Sequence, residues 1–284
     1  MNHLNRRNFF KLAAAGTAAA ALSTTINACQ KHEGTLTKKD GLLRLKLGIA
    51  SYTFRHFNLD DTIAMTKRLG ITHIALKSFH LPLESADSEI AATAKKVRNS
   101  GLELYGCGVI YMKKEDDVHR AFDYAKAASV KVIIGVPEYE LLELVNQKVK
   151  EYDIKAAIHN HGPGDKIYPS AESIYERVKD MDPRMGLCID IGHSKRLNAD
   201  LSDDFIRFFD RVHDIHFKDV TSASAAGTTI ETGRGVVDVP KALKTLLDLK
   251  YQGIVSLEFA KDEEDPLPGV AESLGYIKGV LSVI

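Results

Sequence analysis

Ile154-Lys155-Ala156-Ala157-Ile158-His159-Asn160-His161-Gly162-Pro163 reads as a short buried strand that ends in two imidazoles and an amide before a Gly-Pro break. Strands this continuously apolar belong to parallel sheets covered on both faces. Three later runs end in the same manner. Residues 185–190 close on Asp190 and continue as Ile191-Gly192-His193, residues 212–216 close on His216 and continue as Phe217-Lys218-Asp219, and residues 254–258 close on Glu258.

Outward from these runs, aliphatic stretches alternate with amphipathic segments eight times from Leu43 onward. Strands are expected at residues 45–52, 73–77, 102–109, 132–136, 154–158, 186–190, 212–217 and 253–259. Helices are expected between them, with Asn58 and Ser170 as N-caps and with Pro137 and Pro240 as helix openers. Eight strand–helix units in a segment of this length point to a single-domain (β/α)8 TIM barrel over residues 43–284. A doubly wound open sheet is the runner-up, but Gly48-Ile49-Ala50-Ser51-Tyr52 after the first strand carries no dinucleotide fingerprint. The longest connection, residues 219–237, contains Gly233-Arg234-Gly235 and has the length of a functional or mobile loop.

Residues 1–28 read as an export signal rather than as part of the fold. Asn5-Arg6-Arg7-Asn8-Phe9-Phe10-Lys11 is a twin-arginine motif, and the Ala-rich segment after it is too short and too weakly apolar for a stable membrane span. Ile26-Asn27-Ala28-Cys29 resembles a lipobox, which makes Cys29 a lipid-anchor site and residues 29–42 a polar tether. The expected location is therefore the periplasm or a membrane surface, reached folded. Cys107 and Cys188 lie in apolar runs and are expected as core thiols.

The chain carries 38 basic and 38 acidic residues, a formal net charge of zero, so no global field attracts nucleic acid or an anionic membrane. Small neutral ligands suit it better. Of its eleven histidines, six (His56, His80, His159, His161, His193 and His216) fall at or just after strand C-termini, the face where parallel barrels build their sites. Burying two carboxylates at a barrel mouth is costly without a compensating cation. A divalent ion held by His159, Asp190, His216 and Glu258 would meet that need, and two nitrogen with two oxygen ligands suit Mn, Zn, Co, Fe or Ni better than Ca. Around this set, Glu258, His161, His193 and Lys77 are the candidate acid–base groups. His80, Lys218, Arg234, His56 and Asn160 are the candidate substrate contacts, with Arg234 carried over the site by its loop.

At Asp190-Ile191-Gly192-His193, Ile215-His216-Phe217-Lys218-Asp219, Gly233-Arg234-Gly235 and Glu258 the chain resembles the xylose isomerase-like barrel family, over residues 45–283. That family includes sugar isomerases and epimerases, inosose dehydratase and endonuclease IV. The resemblance implies that Asp190, His216 and Glu258 hold metal and that His193 touches substrate. Where the epimerases end the fifth strand in a Glu that binds metal and shuttles a proton, this chain has His159, which leaves their two-carboxylate arrangement incomplete. The expected activity is removal of a proton α to the carbonyl of a sugar or keto-sugar, giving isomerisation or epimerisation. β-Elimination from a 3-keto-glycoside or inosose-like substrate is the close alternative, and a non-catalytic carbohydrate-binding lipoprotein is the third. Export and the lack of a phosphate cradle favour an unphosphorylated substrate. An endonuclease would need more metal ligands and a basic surface.

Overall fold

The computed structural model describes residues 45–284; the signal, the tether and Cys29 lie outside the described residues. Eight parallel strands close into a barrel: β1 (Lys46–Ala50), β2 (His73–Leu76), β3 (Glu103–Met112), β4 (Val132–Pro137), β5 (Lys155–His159), β6 (Met185–Asp190), β7 (Val212–Phe217) and β10 (Ile254–Leu257). Chain order equals spatial order, and β10 pairs with β1 to close the ring. This is the (β/α)8 architecture expected from the alternation.

Helices α1 (Leu59–Arg68), α2 (Asp87–Asn99), α3 (Glu115–Ala127), α4 (Leu142–Tyr152), α5 (Ala171–Val178), α7 (Leu201–Phe208), α8 (Val239–Asp248) and α9 (Leu267–Leu281) follow the strands. The caps act as expected, for Asn58 accepts from Asp61 N at 3.0 Å and Ser170 from Ser173 N at 3.2 Å. Each removes one of the orphan donors of a helix start. Pro137 behaves differently. It ends β4 in register with Met112, and its carbonyl accepts the Tyr168 hydroxyl at 2.8 Å, so α4 begins only at Leu142 after a 3-10 turn.

The strands and the inner helix faces form one apolar core that includes Ile49, Ile74, Phe122, Ile133, Phe205, Val255 and Ile277. Buried Arg211 ties β7 to the turn before β6. Its guanidinium donates to the carbonyls of Lys179, Met181, Asp182 and Met185, which satisfies the fork without a buried carboxylate. Cys107 and Cys188 are both free and buried.

Three elements depart from the sequence reading. A short helix, α6 (Ile191–Arg196), follows β6 directly, with Asp190 as its N-cap. Within the long connection, β8 (Asp219–Val220) and β9 (Thr229–Ile230) form a two-residue antiparallel ladder. Asp219 organises that loop. Its Oδ1 accepts from Val220 N and Val237 N at 2.8 and 3.0 Å, and its Oδ2 accepts from Gly233 N and Gly235 N at 2.9 and 3.0 Å. Gly233 sits at φ +96°, and a Cβ on Gly235 would collide with the Asp219 carboxylate, which explains glycine at both positions.

Candidate functional site

The register of the barrel assembles the site. Asp190 pairs laterally with His216, and His216 with Ser256, so Glu258 two residues beyond rises beside them; His159 pairs with Cys188, one layer below Asp190. All four expected ligands are buried, with Asp190 wholly inaccessible. His159 Nε2 lies 3.0 Å from His216 Nδ1 and 3.4 Å from Asp190 Oδ2, and His216 Nδ1 lies 3.4 Å from Glu258 Oε1. Ligand atoms around a tetrahedral ion at about 2.1 Å stand about 3.4 Å apart, so the spacing fits a shared cation. The opposite ring nitrogens, His159 Nδ1 and His216 Nε2, are buried without a hydrogen-bond partner and face away from that space, His216 Nε2 lying 3.8 Å from Asp214 Oδ2.

Charge separates the set from an ordinary polar network. Burial pushes His216 down to about 4, the Glu258 charge opposing, and His161 to about 4, with His159 adding to the effect. It pushes His193 to about 3. His193 has a cation at each ring nitrogen, Arg196 Nη1 at 3.2 Å from Nδ1 and Lys218 Nζ at 3.3 Å from Nε2. These imidazoles are neutral at pH 7, and for His216 that is the state a metal requires of a ligand. Burial works against ionisation of both carboxylates, but the Lys218 ammonium overrides it, holding Asp190 well below the usual range and Glu258 down to about 2.

Lys218, one residue beyond β7, is therefore inside the site. Its Nζ lies 2.8 Å from Asp190 Oδ2 and 2.7 Å from Glu258 Oε2. Burial lowers the proton affinity of the ammonium, but the Asp190 and Glu258 charges outweigh that and raise it above the ordinary value. With two carboxylates and one ammonium, the buried centre keeps one net negative charge. A divalent cation fits both the charge and the donor set.

Beneath this layer, Asp214 is wholly buried, with the Tyr105 hydroxyl at 3.3 and 3.4 Å and Cys188 Sγ at 3.7 Å. Burial drives the Asp214 pKa well up, which disfavours its ionised form. His159, Cys188 and His216 form a second possible ligand group. Burial holds the Cys188 thiol well above its ordinary pKa, so the carboxylate-bearing set is the stronger one.

His161 stands beside His159 with ring centroids 4.6 Å apart, and its Nε2 is 3.0 Å from the Tyr111 hydroxyl. Its Nδ1 lies 3.6 Å from Asp165 Oδ2. Lys77, at the end of β2, extends over the Tyr52 ring at 4.8 Å; burial lowers its pKa, with Glu258 opposing and Lys218 and Arg55 adding.

Four other expected contacts lie elsewhere. Arg234 forms a two-pronged pair with Glu272 at 2.5 and 2.7 Å on the outer surface, because the loop closes around Asp219 and turns the guanidinium away. His80 is buried with Nδ1 on Ser51 Oγ and Nε2 among Thr62 Oγ1 and the Phe54 and Phe57 carbonyls, so both nitrogens serve the scaffold. Asn160 accepts from Asp190 N at 2.9 Å and donates to Ser194 Oγ at 3.2 Å, which locks β5 to the β6–α6 junction. His56 sits at the exposed rim with Glu263 Oε2 at 2.8 Å. Tyr111 was missed because β3 runs three residues past Val109; an aromatic at a strand end was the only signal.

The description "Xylose isomerase-like TIM barrel" matches residues 63–280, and a twin-arginine translocation signal matches residues 3–23. No functionally curated protein matches the chain. An uncharacterised protein from Parabacteroides distasonis superposes with a TM-score of 0.65 at 25% identity, covering 83% of this chain and 98% of that one. A 3-keto-D-glucoside 4-epimerase from E. coli gives 0.68 at 14% identity, over 83% of this chain and all (100%) of that one. The probable 3-DHS dehydratase from Bacillus anthracis gives 0.65 at 14%, over 84% and 99%. At 14% identity these last two establish a shared fold alone.

Proposed function

The chain belongs to the xylose isomerase-like TIM barrel family, and from that premise we propose that it is a divalent-metal-dependent enzyme of the sugar isomerase/epimerase type, acting on an unphosphorylated sugar or keto-sugar. The observation that carries this reading is the four-residue cluster of buried ligand atoms, His159, Asp190, His216 and Glu258, all within 4.8 Å of one another. An ion held there would polarise a substrate carbonyl and acidify the adjacent carbon.

The chain's own residues do the rest. Glu258, whose Oε2 lies 2.7 Å from Lys218 Nζ, is the candidate base on one side of the substrate. His161, neutral and hydrogen-bonded to Tyr111, is the candidate acid–base group on the other. His193 has cations at both ring nitrogens and acts better as a neutral contact than as a proton carrier. Lys77 approaches from β2 and would hold a developing oxyanion.

His159 at the end of β5 favours a second outcome. Without a carboxylate there to return the proton, loss of a β-leaving group competes, which makes a 3-keto-glycoside or inosose-like substrate of a lyase the alternative. Incubation with keto-hexoses and 3-keto-glucosides in D2O, followed by NMR, separates the outcomes. Deuterium at the α-carbon supports isomerisation or epimerisation, and an unsaturated product supports elimination. Saturable binding with neither would leave a carbohydrate-binding protein and overturn the enzyme reading.

The twin-arginine signal supports export. We further propose that residues 1–28 are removed and that Cys29 carries the lipid, with residues 29–42 as tether. Metabolic palmitate labelling that is lost in Cys29→Ala is the expected result, and equal labelling would rule out the anchor.

A further inference from the structure

Lysine at the end of a strand ordinarily extends its ammonium to water. Lys218 does the opposite, and the reason is local: its stem crosses Gly192, the second residue of α6, where a Cβ would stand 2.5 Å from Lys218 Cγ. Bare backbone at that point admits the side chain, and the ammonium comes to rest between Asp190 and Glu258.

The oxygens it takes are the informative feature. Asp190 Oδ1 is committed to capping α6 through His193 N at 2.9 Å, so Oδ2 is the only oxygen of Asp190 left for an ion. That same Oδ2 is the one Lys218 approaches to 2.8 Å. Glu258 divides its oxygens, Oε2 to Lys218 and Oε1 toward His216. An ion among the four ligands would thus share an oxygen with an ammonium, in a buried place where like charges are poorly screened.

We infer that Lys218 is a tethered competitor for the divalent ion, a built-in counter-charge that offsets one of the two charges of Asp190 and Glu258 when the ion is absent and weakens the hold on it when present. This rests on the reading of the four residues as an ion site. Lys218 also steadies the two carboxylates, which by itself would favour binding. That contribution is the smaller one, because Asp190 is already set by the α6 cap and by Asn160, and Glu258 by burial. The consequence is an exchangeable ion, and a centre that carries one net negative charge rather than two without it.

The test titrates metal-free protein with Mn2+ or Zn2+ against a chromophoric chelator and records melting temperature with and without the ion. Lys218→Met and Lys218→Gln should each bind the ion at least tenfold more tightly than wild type, melt lower in its absence and gain more on its addition. Lys218→Arg, which keeps the charge, should not tighten. Equal or weaker affinity in both neutral variants, or tightening in the arginine variant, overturns the inference. Should wild type bind no ion while the neutral variants do, the competition stands and the resident-ion reading falls. Should none bind, both fall. A neutral variant that folds only with the ion added supports the inference, and one that the ion does not restore counts against it.

Discussion

His159 Nε2 and His216 Nδ1 face each other at 3.0 Å across the end of the barrel, from strands that do not pair directly. Two ring nitrogens can share at most one proton at that contact, so the approach is explained either by a single hydrogen bond or by a common cation. The nearby carboxylate oxygens at 3.4 Å favour the cation.

Removing a ligand should therefore remove the ion. His216→Ala and Glu258→Ala are each expected to lose more metal affinity than the roughly 10–100-fold that loss of an outer-shell partner costs. Metal analysis of purified wild type and variants reads this directly, and equal content in all of them would refute the site. His159→Ala tells whether the fifth strand supplies a ligand.

Asn160 acts through Asp190 rather than on substrate. Its replacement by alanine leaves the buried Asp190 N–H without its acceptor, a cost of about 1–3 kcal/mol. Equilibrium urea unfolding should register that loss together with weakened metal retention. An unchanged stability would place Asn160 outside the support of the site.

Asp219 gathers four backbone N–H groups, so Asp219→Ala should destabilise the chain by about 3 kcal/mol or more. Hydrogen exchange should accelerate at the amides of Gly233, Gly235 and Val237 in particular. Acceleration spread evenly over the barrel would not fit this role.

Partly buried His213, whose Nε2 lies 3.0 Å from the Pro183 carbonyl, has its pKa pushed down to about 4 by burial, with the Lys155 and Arg211 charges adding. The folded state thus holds the neutral ring, whereas the unfolded chain takes up a proton near 6.5. The unfolded state binds more protons between those values, so this stabilisation is complete above about pH 6.5 and is lost as pH falls toward 4. Unfolding free energies of wild type and His213→Gln should converge as pH falls from 7 to 4. A constant difference across that window would reject the linkage.

Burial pushes the Cys107 thiol up to about 12 and the Cys188 thiol well above its ordinary value. Neither should react with a thiol reagent in the native protein, and both should react after denaturation. Mass mapping of the modified cysteines checks this, and native labelling at either would contradict the packing.

Much of the fold was legible because its signals are local. Apolar runs of strand length, Asn58 and Ser170 as caps, and eight repeats suffice for a barrel, and a barrel gathers its strand ends at one face. The candidate set was legible for the same reason, since His159 and Asp190 end their strands, His216 stands one residue before the end of β7 and Glu258 one residue after β10. Helix α6 was not legible, because Ile191-Gly192-His193-Ser194-Lys195-Arg196 is short, holds a glycine and gains its cap from a residue that also ends a strand.

Sequence by itself determined the architecture, the export motif and which residue types stand at the mouth, since period, cap and motif are properties of neighbouring residues. Only the tertiary structure decided what those side chains touch. Lys218 became the buried partner of Asp190 and Glu258 rather than a loop cation, because Gly192 on another element makes room for its stem. Arg234 left the site because Asp219 closes its loop outward, and His80 and Asn160 turned to the scaffold because buried donors and acceptors there had to be matched. Contacts of that kind join residues far apart in the chain, and no local pattern encodes them.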